Sequence, residues 1–215
     1  MPANLLSGNY QKKCIKGSKF LSSLDQDWNS LVSSVGPYKL NLSIELEPYQ
    51  ALIKSVIFQQ LRPASATAIF NRFKQNFDNN FPTEEKILAS PESKLKESGL
   101  SFNKRKTIIE IARHVQKGEL ENRQDFLMMN DSQIIEKLTK IKGIGEWTAQ
   151  MLMIFNLGKL DVFPAGDFAL RKNYSLFKSI SSPITMKELS KISEEWKPFR
   201  SIAAWYLWRY KNILN

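Results

Sequence analysis

The sequence has very little of the two residue types that most often bind transition metals or crosslink chains. It contains one cysteine, Cys14, and one histidine, His114, among 215 residues. These counts exclude an internal disulfide, a four-cysteine iron–sulfur cluster and a histidine-rich metal site. No apolar run reaches the roughly 18 residues that a membrane-spanning helix needs. We therefore expect a reducing compartment, no membrane partner and no cofactor for catalysis.

Negative charge is also scarce. Lys and Arg outnumber Asp and Glu by 31 to 21, which gives a formal net charge of +10. A polyanion is the natural partner for such a chain. Nucleic acid fits better than an acidic membrane surface, because the sequence has no lipidation motif and no isolated basic amphipathic helix.

The first 24 residues contain no acidic residue and carry four lysines, which are Lys12, Lys13, Lys16 and Lys19. They predict a flexible basic N-terminal arm, residues 1–24, that either contacts phosphates or is simply solvated. The arm lacks the hydrophobic segment of a secretory signal and contains no arginine, so a mitochondrial presequence has only weak support.

Apolar residues recur at three- and four-residue spacings in seven segments, which predicts an all-α chain with helix ends near Gly118 and Gly158. Only YKLNLSIELE indicates a short extended stretch. We expect one domain at 25–215 with two helical lobes and a cleft between them. A central block of about 48–178 would form one lobe, and the terminal segments would pack together.

Two predicted helices joined by the tight turn KGIG form the most distinctive local motif. The first helix, DSQIIEKLTKI, would begin at an Asp131 or Ser132 cap, and the second is EWTAQMLMIFNLG. The turn is expected to be too tight for side chains at both glycines, Gly143 and Gly145. The start of the second helix directs unpaired amides and a positive dipole end outward, which suits a phosphate. For KGIG alone, an ordinary helix connection is an equally good interpretation.

One acidic residue, Asp167, follows the hairpin after the loop DVFPAG and before FALRKN, which can begin another helix. Taken alone, it is most simply an N-cap.

The hairpin, Asp167 and three further segments together resemble the helix-hairpin-helix superfamily of DNA glycosylases, and within it the AlkA-like 3-methyladenine DNA glycosylases. SVIFQQL looks like the family's helix and DNA-intercalating loop, SGLSFNKRKTI resembles its G-L-S-x-x-K segment, and WKPFRSIAAWYLW resembles its W-x-P-x-R-S-x-A-A motif. The resemblance covers Asp25 to Tyr210. It implies the family's two-lobed, all-helical fold and a double-stranded DNA partner with alkylated or abasic lesions. We further expect a monomer in the nucleus.

The resemblance implies that Asp167 is the catalytic carboxylate, which would stabilise the oxocarbenium charge of the sugar and orient the attacking water. The family usually has two consecutive acidic residues here, whereas this chain has Gly166 in the first position. That departure puts catalysis in question more than the fold. Bifunctional relatives have a Schiff-base lysine where this chain has Trp147, so we expect no strand-cleaving lyase activity.

A flipped base needs a pocket, and its expected walls are Trp147, Met151, Phe155 and Trp205. Hydrophobic core is an equally good interpretation of Met151 and Trp205. The positions expected to enter the duplex or its minor groove are Gln60, Leu61 and Arg62. Among these, Leu61 resembles the family's apolar wedge that fills the vacated stack. For Arg62, a solvated surface charge is an equally good interpretation.

The hairpin would bind phosphate through Lys142, Gly143 and Gly145. The backbone carbonyls of Thr139, Ile141 and Ile144 match positions at which the superfamily binds a structural Na⁺ or K⁺ ion beside the phosphate. Such an ion would neutralise charge and take no part in the chemistry.

The sequence thus predicts a monofunctional DNA glycosylase that excises alkylated bases of the 3-methyladenine or 7-methylguanine type by base flipping. A catalytically weak or inactive paralogue that binds damaged DNA or abasic sites is the alternative that Gly166 leaves open. An endonuclease III-like enzyme for oxidised pyrimidines is disfavoured by the missing cysteines and by Trp147.

Overall fold

Helices account for all the regular secondary structure of residues 8–210, the part of the chain that the computed structural model describes. In chain order they are α1 Gly8–Ser22, α2 Gln26–Val35, α3 Pro48–Phe58, α4 Pro63–Gln75, α5 Glu84–Ala89, α6 Glu92–Glu97, α7 Phe102–Gln116, α8 Arg123–Met128, α9 Asp131–Thr139, α10 Glu146–Phe155, α11 Phe168–Phe177, α12 Met186–Ile192 and α13 Arg200–Tyr210. A short 3₁₀ helix, Ser193–Trp196, precedes α13. None of the described helices is both long and apolar enough to span a bilayer.

The described chain divides into two compact units. The first unit comprises the residues up to Ile44 and from Met153 onward, and the second comprises Glu45–Leu152. The terminal segments therefore share one unit, as expected, but the expected central block of 48–178 extends too far. Helix α11 belongs with the terminal segments because it packs on α13, where the side-chain amide of Asn173 donates to the carbonyl of Leu207 at 2.8 Å.

Large aromatic side chains dominate the core of the first unit. Trp28 of α2 and Trp196 of the 3₁₀ helix are both buried, and their rings meet edge to face at 5.3 Å. Tyr206 of α13 is also buried, and its hydroxyl donates a hydrogen bond to the carbonyl of Gly36. Rings in this geometry contribute more than their buried area alone.

The prediction of a flexible basic arm is wrong for residues 8–22, which form α1. Cys14, Gly17 and Leu21 lie on one buried face of this helix, and a Cβ built on Gly17 would lie 2.3 Å from Cδ1 of Ile202. This close packing of α1 on α13 ties the helix to the core. The lysines occupy its exposed face. Residues 1–7 of the expected arm and 211–215 of the expected domain lie outside the described residues.

In the second unit, α3 packs against α4 and α7, and α5 also packs against α7. The apolar side of α3 is buried along its length at Ala51, Leu52, Ile53, Val56 and Ile57. The stretch YKLNLSIELE forms no strand, although an extended stretch was expected there. This packing leaves the end of α3 beside the start of α7, which matters for the site below.

Candidate functional site

The hairpin forms as predicted between α9 and α10, but the start of its first helix differs. The N-cap of α9 is Asn130, not Asp131 or Ser132. Oδ1 of Asn130 accepts a hydrogen bond from the amide of Gln133 at 2.9 Å, and the Gln133 side chain accepts one from the amide of Asn130 at 3.0 Å. This reciprocal capping box satisfies two helix-end donors at once.

The two hairpin glycines have different roles. Gly143 has a φ of +94°, and a Cβ there would lie 2.0 Å from Oγ1 of Thr107 on α7. A Cβ on Gly145 would meet nothing within 4 Å. The expectation that neither position has room for a side chain is therefore wrong for Gly145, whereas Gly143 is required by the internal contact with α7. Gly145 and the neighbouring Lys142 are both exposed, so this end of the hairpin is open to a ligand.

The three residues with the expected ion-binding carbonyls lie at the hairpin turn. The side chains of Ile141 and Ile144 are buried, and the Ile141 carbonyl accepts a hydrogen bond from the Ile144 amide at 2.9 Å. Thr139 is exposed at the end of α9. No cluster of three or more His, Cys, Asp or Glu residues suited to a metal ion occurs in residues 8–210.

The three residues predicted to enter DNA, Gln60, Leu61 and Arg62, lie in the short loop between α3 and α4. Gln60 is in the left-handed region with a φ of +54°, which is uncommon for a residue other than glycine. Leu61 keeps 37% of its surface exposed. Arg62 is exposed and precedes Pro63 at the start of α4. The loop thus presents an apolar side chain to solvent between two polar ones.

Sequence reasoning missed two residues that contact this loop. The Nζ atom of Lys104 donates hydrogen bonds to the carbonyls of Ile57 at 2.9 Å and Gln59 at 2.8 Å. The side-chain amide of Gln59 donates to Oγ1 of Thr148 on α10 at 2.9 Å. Burial lowers the pKa of Lys104. Lys104 is the lysine of the G-L-S-x-x-K segment. The motif therefore marked this residue, but the sequence alone did not show which atoms it binds.

The expected wall residues of the base pocket differ in exposure. Trp147, at the start of α10, is 38% exposed, whereas Met151 one turn later is 9% exposed. Phe155 is half-buried and stacks on Trp208, with their ring centroids 5.7 Å apart. Trp205 is 3% exposed, with the Arg209 guanidinium 3.7 Å from its ring centroid. The structure thus places Met151 and Trp205 among buried side chains, and Trp147 presents the most accessible ring.

Asp167 is the N-cap of α11. Its Oδ1 accepts a hydrogen bond from the amide of Leu170 at 2.9 Å, and its own amide donates to the carbonyl of Pro164 at 2.8 Å. The side chain remains partly exposed. The N-cap interpretation is therefore correct, and it is compatible with catalysis because the capping bond fixes the direction of a carboxylate that solvent still reaches.

Gly166 is exposed and does not have a positive φ. A Cβ at this position would meet only the Met186 sulfur, at the ordinary contact distance of 3.5 Å. A side chain would fit here, so the fold does not require glycine at this position.

The loop that carries Asp167 is attached to the start of α13. Nε and Nη2 of Arg200 bind the two carboxylate oxygens of Asp161, and Nη2 also donates to the Asp161 carbonyl at 3.0 Å. Next to it, Oγ of Ser201 accepts from the amide of Val162 at 2.9 Å and donates to its carbonyl at 3.0 Å. The R-S pair of the C-terminal motif therefore orders the start of the loop. Sequence reasoning assigned it no such role.

Comparisons with known proteins identify the family of this chain. The family profile described as HhH-GPD superfamily base excision DNA repair protein matches residues 53–199. The chain is 40% identical over 202 residues to DNA-3-methyladenine glycosylase 1 of Schizosaccharomyces pombe, which covers 93% of this chain and 89% of that protein. It is 37% identical over 200 residues to the alkylbase DNA glycosidase-like protein mag2 of the same yeast, with coverage of 92% and 94%.

Solved structures give the same result. The S. pombe 3-methyladenine DNA glycosylase in complex with abasic DNA superposes with a TM-score of 0.86 at 40% identity, covering 90% of this chain and 95% of that one. A DNA-3-methyladenine glycosidase from Bacillus halodurans superposes with a TM-score of 0.78 at 30% identity, covering 90% and 88%.

Proposed function

The chain belongs to the HhH-GPD superfamily of base excision DNA repair proteins, and from that premise we propose that it is a monofunctional DNA glycosylase for alkylated bases. The observation that carries the proposal is Asp167, a partly exposed carboxylate held in direction by its N-cap bond to Leu170. The two S. pombe relatives support the substrate class, since their names refer to 3-methyladenine and alkylated bases.

Double-stranded DNA with alkylated or abasic lesions is the proposed partner. The exposed end of the hairpin would bind a phosphate through Lys142, the backbone at Gly143 and Gly145, and the positive dipole end of α10. These contacts carry no sequence information and fix the register of the protein on the duplex. Leu61, exposed between Gln60 and Arg62, would enter the stack where the damaged nucleotide leaves it.

The chemistry needs one carboxylate. A purine nucleotide alkylated at N3 or N7 is cationic, so its base stacks on an accessible ring such as that of Trp147 with about 0.5–2 kcal/mol of additional attraction. The bond from C1′ of the sugar to the base then breaks, and its electron pair leaves with the base, which becomes neutral. Asp167 stabilises the oxocarbenium charge while water bonds to C1′ and loses a proton to solvent. The products are a free base and an abasic site.

The same chain would not cut the DNA strand. Strand cleavage by this superfamily needs an amine that forms a Schiff base with the sugar, and Trp147 occupies the matching position. Abasic DNA should therefore accumulate intact.

We also propose a structural Na⁺ or K⁺ ion at the hairpin. The carbonyls of Thr139, Ile141 and Ile144 are neutral oxygen donors, a chemistry that suits alkali cations, and the Ile141 oxygen keeps a second lone pair beside its bond to Ile144. The ion would neutralise phosphate charge and do no chemistry. The proposal also assigns the protein to the nucleus as a monomer.

A base-release assay on methylated duplex DNA tests the proposed function. The wild type should release 3-methyladenine and 7-methylguanine and leave the strand unbroken until alkali is added. Nicking without alkali would contradict the monofunctional assignment. Tight binding to abasic DNA without release of any base would instead identify a non-catalytic paralogue.

A further inference from the structure

An exposed leucine on a four-residue loop needs support from its surroundings to keep one orientation. The loop between α3 and α4 contains Gln59, Gln60, Leu61 and Arg62, and Gln60 has a left-handed backbone that isolated glutamine disfavours. Contacts outside the loop must therefore hold this conformation. Within residues 8–210, Lys104 and Thr148 form hydrogen bonds with Gln59, the residue directly before Gln60.

Lys104 closes the C-terminal end of α3. Its ammonium group lies within hydrogen-bond distance of the Ile57 and Gln59 carbonyls, which belong to the last turn of the helix and the first residue after it. The last carbonyls of a helix lack partners within the helix, and a cation at that end also interacts favourably with the dipole. The ammonium group of Lys104 therefore binds backbone carbonyls of this protein, even though its charge would suit a DNA phosphate.

Gln59 links this contact to the hairpin helix. Its carbonyl binds Lys104, and its side-chain amide donates to the buried hydroxyl of Thr148, three residues after Gly145. Hydrogen bonds therefore hold both the backbone carbonyl and the side-chain amide of Gln59. Leu61 lies two residues further along the chain, so its direction depends on where Gln59 is held.

We propose that Lys104 is a positioning residue for base flipping, which holds Gln59 so that Leu61 projects as a preorganised wedge. This inference rests on the proposed function and deepens it by naming the residue that positions the wedge. The wedge acts only after the damaged nucleotide has left the stack. A loosened loop would therefore impair extrusion without weakening the contacts that bind an intact duplex.

The test compares Lys104→Met with Lys106→Met. Both changes remove one lysine from the first turns of α7, but Lys106 is exposed and lies over the Phe102 ring, 4.2 Å from its centroid. The same methylated lesion is placed in a fully paired duplex and in an unpaired bulge. A 2-aminopurine beside the lesion reports extrusion by its fluorescence.

In the paired duplex, Lys104→Met should reduce the extrusion signal and lower the single-turnover release rate by about tenfold or more relative to Lys106→Met. In the bulge, where little stacking must be broken, the two variants should differ by less than about threefold. Their affinities for undamaged duplex should match. Equal losses on both substrates, or an equal loss in Lys106→Met, would overturn the proposal.

A second variant keeps the test decisive if Lys104→Met does not fold. Thr148→Val preserves the buried shape and removes the acceptor for Gln59. It should show the same selective loss on the paired duplex, and an unchanged extrusion signal would overturn the proposal. The fluorescence does not require catalysis, so absence of base release by the wild type would contradict the proposed function and leave this inference open to its own test.

Discussion

The guanidinium of Arg200 binds both carboxylate oxygens of Asp161, with Nε 2.9 Å from Oδ1 and Nη2 3.1 Å from Oδ2. This two-point contact joins residues 39 positions apart and holds the start of the loop that ends at Asp167. Planar bidentate pairs of this kind fix geometry as well as adding energy. The position of Asp167 therefore depends on Arg200, which takes no part in the proposed chemistry.

Arg200→Met should slow base release while leaving the protein folded. Both side chains of the pair are partly exposed, so we expect a loss of about 1–3 kcal/mol in the free energy of unfolding. Arg113→Met is the matched control, because Arg113 also forms an ion pair, with Glu110 on α7, and α7 belongs to the other unit. Urea unfolding and single-turnover release measure the two effects. Equal release by both variants would show that the Asp161 contact does not position Asp167.

Substitutions at the two hairpin glycines should have different effects, with Gly143 affecting stability and Gly145 affecting DNA binding. Gly143→Ala introduces a Cβ in contact with Thr107 at a positive φ, and we expect it to destabilise the protein by about 1–3 kcal/mol or more. Gly145→Val has open space and should change the free energy of unfolding by less than about 1 kcal/mol. It should nevertheless weaken binding to all DNA, damaged or not, because the added side chain holds the backbone away from a phosphate. Retained affinity in a folded Gly145→Val would exclude the hairpin as the phosphate contact.

Leu61→Ala should alter function without altering stability. The side chain is already 37% exposed, so truncation should cost less than about 1 kcal/mol of unfolding free energy. Release from a paired duplex should fall, and release from a bulged lesion should change little. Should the extrusion signal from 2-aminopurine stay unchanged, Gln60 or Arg62 would become the better candidate for the wedge.

Gly166→Asp creates the two consecutive acidic residues that the family resemblance implies at this position. The added side chain meets only the flexible Met186 sulfur, so we expect a change of less than about 0.5 kcal/mol in the free energy of unfolding. The release rate should stay within about threefold of the wild type, because the N-cap bond to Leu170 directs Asp167 without help from residue 166. Gly166→Asn controls for volume. A tenfold gain confined to the Asp variant would show that the missing carboxylate limits catalysis.

Local patterns predicted the helices and the hairpin, and the comparisons confirm the all-α class and the family resemblance. The cap of α9 was misplaced by one or two residues because three consecutive residues, Asn130, Asp131 and Ser132, are all capable caps. Helix α1 was missed because its lysines dominated the interpretation. The three- and four-residue spacing of Cys14, Gly17 and Leu21 was the available signal for a buried face.

Contacts between residues that are distant in the sequence could not be predicted from the sequence alone. Lys104 binds the carbonyl of Gln59 across 45 positions, and the G-L-S-x-x-K motif gave this lysine no partner. The steric role of Gly143 likewise depends on Thr107 of another helix. Motifs identified the residues that matter, and only tertiary packing assigned the partner of each one.

Asp167→Asn gives the most direct test of the central claim, since asparagine also caps helices well and the bond to Leu170 can persist. Release of 3-methyladenine from methylated duplex should fall by at least about a hundredfold, as expected when a preorganised charge opposite the transition state is removed. Binding to abasic DNA should be unchanged or tighter, because one negative charge has been removed. Wild-type release by a folded Asp167→Asn would contradict the account, since Asp167 would then not be the catalytic carboxylate.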